Sequence, residues 1–144
     1  LAARRLRAVA RARGVDPARL VFMPKAPHAT YMARLQLADL FLDTTPYNAH
    51  TTASDALWAG CPLLTTAGDT FAARVAMSLN QHLGMAHMTV DDDAAFVARA
   101  VALATDAEAR AATRAELAAR RADSGLFDMD GFATDFVGIV RSMS

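Results

Sequence analysis

The chain has 144 residues, enough for one domain of ordinary size, and 34 of them are alanine, so much of its 53% apolar fraction is helix-favouring side chain of little area. No apolar run reaches the ~18–20 residues that cross a bilayer, which excludes a membrane-spanning helix. Fifteen basic residues balance fifteen acidic ones, so a role in coating nucleic acid or another polyanion is not expected.

Residues 1–12 read as a helix, and six arginines fall by Arg19. Leu1 is not a start methionine, and no charged n-region precedes an apolar h-region. The expectation is therefore a piece of a longer chain rather than a signal peptide. Gly14 and Asp16-Pro17 end the first helix. Leu20-Val21-Phe22-Met23 is a short apolar run closed by Pro24 and Pro27, too short for a helix, and it predicts a buried strand. A helix is predicted over 29–37, a second strand over 39–43, and a helix over 51–59 that Gly60 stops. Pro62-Leu63-Leu64-Thr65 is the third strand, 70–83 the next helix, and 85–90 an edge strand. Asp91-Asp92-Asp93 opens an alanine-rich helix to about residue 105, and a charged helix reaches 122. Ser124-Gly125 breaks that helix, and a last one covers 131–143, with Phe132, Phe136, Ile139, Val140 and Met143 on one face.

Short apolar strands alternating with helices predict an α/β fold, a Rossmann-like parallel sheet with flanking helices and binding loops at the carboxyl ends of the strands. Residues 1–90 are expected to form that lobe, without its upstream strands, and 91–144 a helical segment packing on the same lobe. Cys61, the single cysteine, excludes an internal disulfide and fits a reducing, cytoplasmic compartment. Between Gly60 and Pro62 it reads as a small buried core residue.

The most pointed segment runs from Leu42 through Asp43, Thr44, Thr45, Pro46, Tyr47, Asn48, Ala49 and His50 to Thr51, Thr52 and Asp55. It leaves the carboxyl end of a strand and enters a helix start, where free N–H groups and the positive dipole end favour a phosphate. Thr51 and Thr52 add hydroxyl donors, His50 offers another hydrogen bond, and Asp55 suits a ribose diol. Thr52-x-x-Asp55 is equally a capping pattern that needs no ligand. A second loop, Met23-Pro24-Lys25-Ala26-Pro27-His28-Ala29-Thr30-Tyr31, also follows a strand. Its prolines leave the Ala26 backbone open to a base edge, and Tyr31 could stack on a ring; a rigid surface turn explains it as well. Asp91-x-Asp93 and Asp128-x-Asp130 resemble metal-binding D-x-D pairs, but both precede helices whose dipoles acidic residues complement, so no metal is expected. His82 and His87 lack the spacing of a zinc protease, and the chain has no P-loop, G-x-S-x-G or G-x-G-x-x-G.

Gln36-Leu37-Ala38-Asp39, Leu42-Asp43-Thr44, His50-Thr51-Thr52 and Asp55-Ala56-Leu57-Trp58-Ala59-Gly60-Cys61-Pro62 together resemble the O-linked N-acetylglucosamine transferases, bacterial and SPINDLY-type members included. Residues 67–76 and Leu126-Phe127 extend the likeness to the carboxyl-terminal part of the catalytic region. The resemblance implies the C-terminal lobe of a GT-B glycosyltransferase, an inverting enzyme that moves N-acetylglucosamine from UDP-N-acetylglucosamine to protein Ser or Thr without a metal or other cofactor. It implies that the Ala26 backbone meets the uracil, Thr51 and Thr52 bind the diphosphate, His50 lies beside phosphates and sugar, and Asp55 binds the ribose. Two positions depart from the animal-type pattern: His28 stands where a lysine serves base and ribose, and Tyr31 where a histidine stacks on uracil. The resemblance places the catalytic base, acceptor groove, a phosphate-binding lysine and tetratricopeptide repeats upstream. The implied partners are a UDP-sugar, an acceptor protein and the absent lobe, with no nucleic acid or membrane, and the chain alone is not expected to be a competent enzyme. A related transferase using UDP-glucose or asparagine acceptors, and a non-catalytic nucleotide-binding or docking module, remain alternatives.

Overall fold

A computed structural model describes residues 2–143. The chain divides into two compact units, Leu1–Tyr31 and Met32–Ser144. This division falls at a different place from the 90/91 boundary drawn from the sequence.

In the first unit, α1 (Ala2–Ala12) carries a basic face and buries no residue. Asp16 caps a short turn at Pro17–Arg19 by accepting from the Ala18 N–H at 2.9 Å. The strand expected at 20–23 is not formed: residues 20–27 have no regular structure, and Val21, Phe22 and Met23 are exposed. A strand exists only where a ladder satisfies its backbone. Among the described residues none pairs with this run, and Pro24 and Pro27 lack the N–H that would extend it. The Arg7 guanidinium lies over the Phe22 ring instead, 4.9 Å from its centroid. Helix α2 (His28–Leu37) begins within the second loop and continues into the second unit.

The second unit holds a three-stranded parallel sheet in the order β1 (Phe41–Leu42), β2 (Leu63–Thr66), β3 (Thr89–Val90). Phe41 and Leu42 register with Leu63 and Leu64, and Thr65 and Thr66 with Thr89 and Val90. The parallel, helix-flanked architecture expected from the sequence is therefore present. Central β2 is buried along its whole length, as a strand covered on both faces must be. Helix α3 (Thr51–Ala59) has the predicted bounds, and Gly60 stops it in the left-handed conformation at φ 85°. The helix expected over 70–83 is interrupted: a short turn at Phe71–Ala73 precedes α4 (Val75–His82). Thr70 closes that turn through Ala73 N–H, and the Ala72 carbonyl accepts from Asn48 N–H rather than from the next helical turn.

Asp92 and Asp106 cap α5 (Asp93–Thr105) and α6 (Ala107–Asp123), accepting from Ala95 and Ala109 N–H at 2.8 and 2.9 Å. Leu103 and Leu117 carry these helices into a core built with Leu57, Leu63, Leu64, Leu83, Met85 and Met88. Arg114 of α6 donates to the Gln36 and Ala38 carbonyls at the end of α2. Asp128 caps α7 (Met129–Ser142) through Gly131 N–H at 2.9 Å, so one member of the second D-x-D pair holds a helix start. The apolar stripe of α7 stays exposed, at 61% for Phe132 and 55% for Phe136.

Cys61 is fully buried, and burial pushes its thiol up to about 11, against the smaller lowering effect of Arg114. A thiol held so high is almost wholly protonated at pH 8, so a disulfide-exchange reagent should modify it only as fast as the domain opens. The unfolded chain, with its thiol near 9.0, ionises first as pH rises. Stability should fall from about pH 9 and keep falling toward 11. Rapid labelling of the native chain at pH 8 would refute this.

Candidate functional site

The loop from β1 to α3 opens a cleft of about 450 Å³, lined by two stretches of this one segment, Phe41 through Thr44 and Tyr47 through Thr52. It lies at the carboxyl end of a parallel strand, where this fold class places its ligands.

The turn is organised by a residue to which the sequence reading gave no role. Asp43, buried at the end of β1, accepts from Thr44 N–H at 2.8 Å and Ala49 N–H at 2.7 Å through Oδ1. Its Oδ2 accepts the Thr65 hydroxyl at 2.7 Å. Asn48, also buried, donates from its side chain to the Thr44 carbonyl at 3.2 Å and from its backbone to Ala72, while its Oδ1 has no partner among the described residues. An acidic residue closing an apolar run, with Asn five positions on, was the signal available for both.

His50 is the N-cap of α3 but makes no capping hydrogen bond with its side chain. Its Nε2 lies 3.3 Å from the Ala72 carbonyl, a geometry that calls for Nε2–H to donate. The remaining Nδ1 would then donate to an anion only from the doubly protonated ring. The ring stacks on Tyr47 at 4.8 Å and meets Phe71 edge-on at 6.0 Å.

The capping alternative for Thr52 is corrected by this arrangement. The helix begins at Thr51, so Thr52 is its second residue and cannot be its cap. The His50 carbonyl accepts from Ala53 and Ser54, which leaves the Thr51 and Thr52 amides without acceptors among the described residues. Both threonine side chains are exposed. Both threonines line the cleft, at a helix start whose open amides, hydroxyls and positive dipole end suit an anion.

Asp55 sits one turn along α3, half-buried, and is not among the cleft's lining residues. Ala26, His28 and Tyr31 belong to the first unit, Ala26 in the irregular stretch and the other two in the first turn of α2. The His28 and Tyr31 rings are 6.2 Å apart. Lys25 is exposed. Among the described residues no three His, Cys, Asp or Glu side chains cluster as a metal site would require, and no helix is long and apolar enough to cross a membrane.

A parallel sheet flanked by helices, with a polar loop feeding an uncapped helix start at a strand's carboxyl end, defines an α/β domain of the Rossmann-like class. The chain belongs to glycosyl transferase family 41, which matches residues 2–136. It is 38% identical over 131 residues to the UDP-N-acetylglucosamine–peptide N-acetylglucosaminyltransferase of Caenorhabditis elegans, an alignment covering 91% of this chain and 11% of that protein. In structure it is similar to a mutant of the Thermobaculum terrenum O-GlcNAc transferase, with a TM-score of 0.88 and 28% identity, over 98% of this chain and 27% of that one. The chain thus spans only a small part of the proteins it matches.

Proposed function

We propose that the chain is the nucleotide-holding part of a protein O-GlcNAc transferase of GT-B architecture, binding UDP-N-acetylglucosamine for transfer of the sugar to a protein Ser or Thr. In this reading Thr51 and Thr52 hold the diphosphate and His50 lies beside it. The Ala26 backbone meets the uracil, Tyr31 stacks on it, His28 serves base and ribose, and Asp55 the ribose. The names of the relatives favour N-acetylglucosamine over glucose as the sugar and a peptide as the acceptor.

The observation that carries the reading is the open start of α3, uncapped and lining the cleft, in a chain of this family. The chemistry follows from it. As the sugar leaves, negative charge grows on the UDP oxygens, and preorganised amides, hydroxyls and the helix dipole stabilise that charge most in the transition state. That is the work a divalent cation does in other transferases, and it supports a metal-independent transfer, which the proposal takes to be inverting. The catalytic base, acceptor groove and tetratricopeptide repeats belong, in this proposal, to the longer bacterial parent in the cytoplasm. The chain alone should bind nucleotide without turning it over.

Titration with UDP, followed by two-dimensional NMR with ADP as control, tests this directly. UDP-selective shifts are expected at residues 26–31 and 50–55. Replacing Thr51 and Thr52 together by alanine should weaken UDP binding at least about tenfold, since hydrogen bonds to a charged phosphate are worth more than neutral ones. Equal response to UDP and ADP, or an unchanged affinity in the double variant, would overturn the reading.

A further inference from the structure

We infer that Asp43 both positions the anion cleft and limits how tightly it holds its anion. The inference rests on reading the α3 start as an anion site, and it adds the residue that sets the strength of that site.

A turn that presents a helix start with open amides must satisfy its own amides elsewhere. Asp43 does so with one side chain. Its Oδ1 takes the N–H groups at both ends of the 44–49 turn, at 2.8 and 2.7 Å. Its Oδ2 takes the Thr65 hydroxyl at 2.7 Å and so ties the turn to the neighbouring strand. Ala49, which one of these bonds fixes, is only two residues from Thr51. The open amides of α3 therefore take their direction from this carboxylate.

Holding two amides and a hydroxyl does not demand a charge, because an uncharged amide oxygen would accept the same N–H groups. Asp43 also lines the cleft. Among the described residues no Lys, Arg or His lies within ion-pair distance of it. The hydrogen bonds it accepts come from neutral donors, and it lines the same cleft of about 450 Å³ as the start of α3. Like charges in one cleft repel, so the residue that builds the site also weakens it. In a transferase that must release a nucleotide product at every turnover, such a brake prevents the site from holding its product too long.

Inorganic pyrophosphate is the direct probe, because it carries the diphosphate charge without base or ribose. The full chain and Asp43→Asn should both show pyrophosphate shifts at Thr51 and Thr52, with Asp43→Asn binding about threefold to tenfold more tightly in low salt. The gap should close as ionic strength rises. Asn keeps the acceptor for Thr44 and Ala49, and Thr65 can turn its hydroxyl toward the Thr66 carbonyl, 3.5 Å away. Should the melting curve show that Asn disturbs the fold, Asp43→Ser offers a shorter uncharged acceptor with the same expectation. Equal or weaker pyrophosphate binding in the folded uncharged variant overturns the inference, as does absence of pyrophosphate binding in every form. Pyrophosphate binding that tightens as expected, without preference for UDP over ADP, would uphold it and sink the proposed uridine function instead.

Discussion

Replacing Asp43 by alanine should lower the unfolding free energy by about 3 kcal/mol and the melting midpoint by about 10 °C. Three donors lose their acceptor at once: the Thr44 and Ala49 amides and the Thr65 hydroxyl. Thr65 can turn to its weaker neighbour, the Thr66 carbonyl. The amides have no such neighbour, and only water entering from the cleft could replace the lost carboxylate. Opening the turn would free Asn48 and His50 from the Ala72 carbonyl and misdirect the start of α3. The alanine variant should therefore lose the nucleotide shifts as well as stability, whereas the uncharged isostere keeps both. Calorimetry on the two variants, paired with the titration, separates the hydrogen bonds from the charge. A loss under about 1 kcal/mol for alanine would show that the turn holds itself without Asp43.

Much of the second unit could be read from the sequence because its signals are local. Gly60 ends α3 as a left-handed residue, and Asp92, Asp106 and Asp128 start the last three helices through caps on the N–H three residues on. The run at 62–65 reads as a buried strand because both of its faces are covered. The failures come from residues whose partners are distant. Leu20-Val21-Phe22-Met23 has the composition of a strand, but a strand is defined by a ladder, and composition does not report whether one exists. The helix expected from Thr70 breaks because Ala72 gives its carbonyl to Asn48, twenty-four residues upstream. In the site, the three neighbours His50, Thr51 and Thr52 were legible as one helix start. Their organiser, Asp43, was not, since its role depends on a hydroxyl contributed by the adjacent strand. As a capping pattern Thr52-x-x-Asp55 would start the helix at Ala53, two residues beyond its actual start at Thr51, and a motif by itself does not fix that position.

Asn80 offers the second large effect, and it shows how strands this short are held. Strands β2 and β3 share only two registered pairs, Thr65 with Thr89 and Thr66 with Val90. Below those pairs the ladder stops, and the buried amide of Asn80 on α4 replaces it. Its Nδ2 donates to the Leu63 carbonyl at 3.1 Å and the Met88 carbonyl at 3.2 Å, with the Thr89 hydroxyl at 3.4 Å. Asn80→Ala should cost about 4 kcal/mol, from two buried carbonyls left without donors and the cavity behind them. Asn80→Asp discriminates further, since it keeps the volume but turns oxygens toward those carbonyls. At pH 7 it should be at least as destabilising as alanine. The buried acid would titrate above its unfolded value near about 4, because the charged form faces only acceptors. The penalty should therefore be full at neutral pH and shrink as pH falls, when a protonated carboxyl can donate one hydrogen bond. Chemical denaturation of both variants at pH 7 and pH 4.5 measures this. An aspartate variant with pH-independent stability would mean that the junction of β2 and β3 is solvated, and that the two strand pairs hold without help from α4.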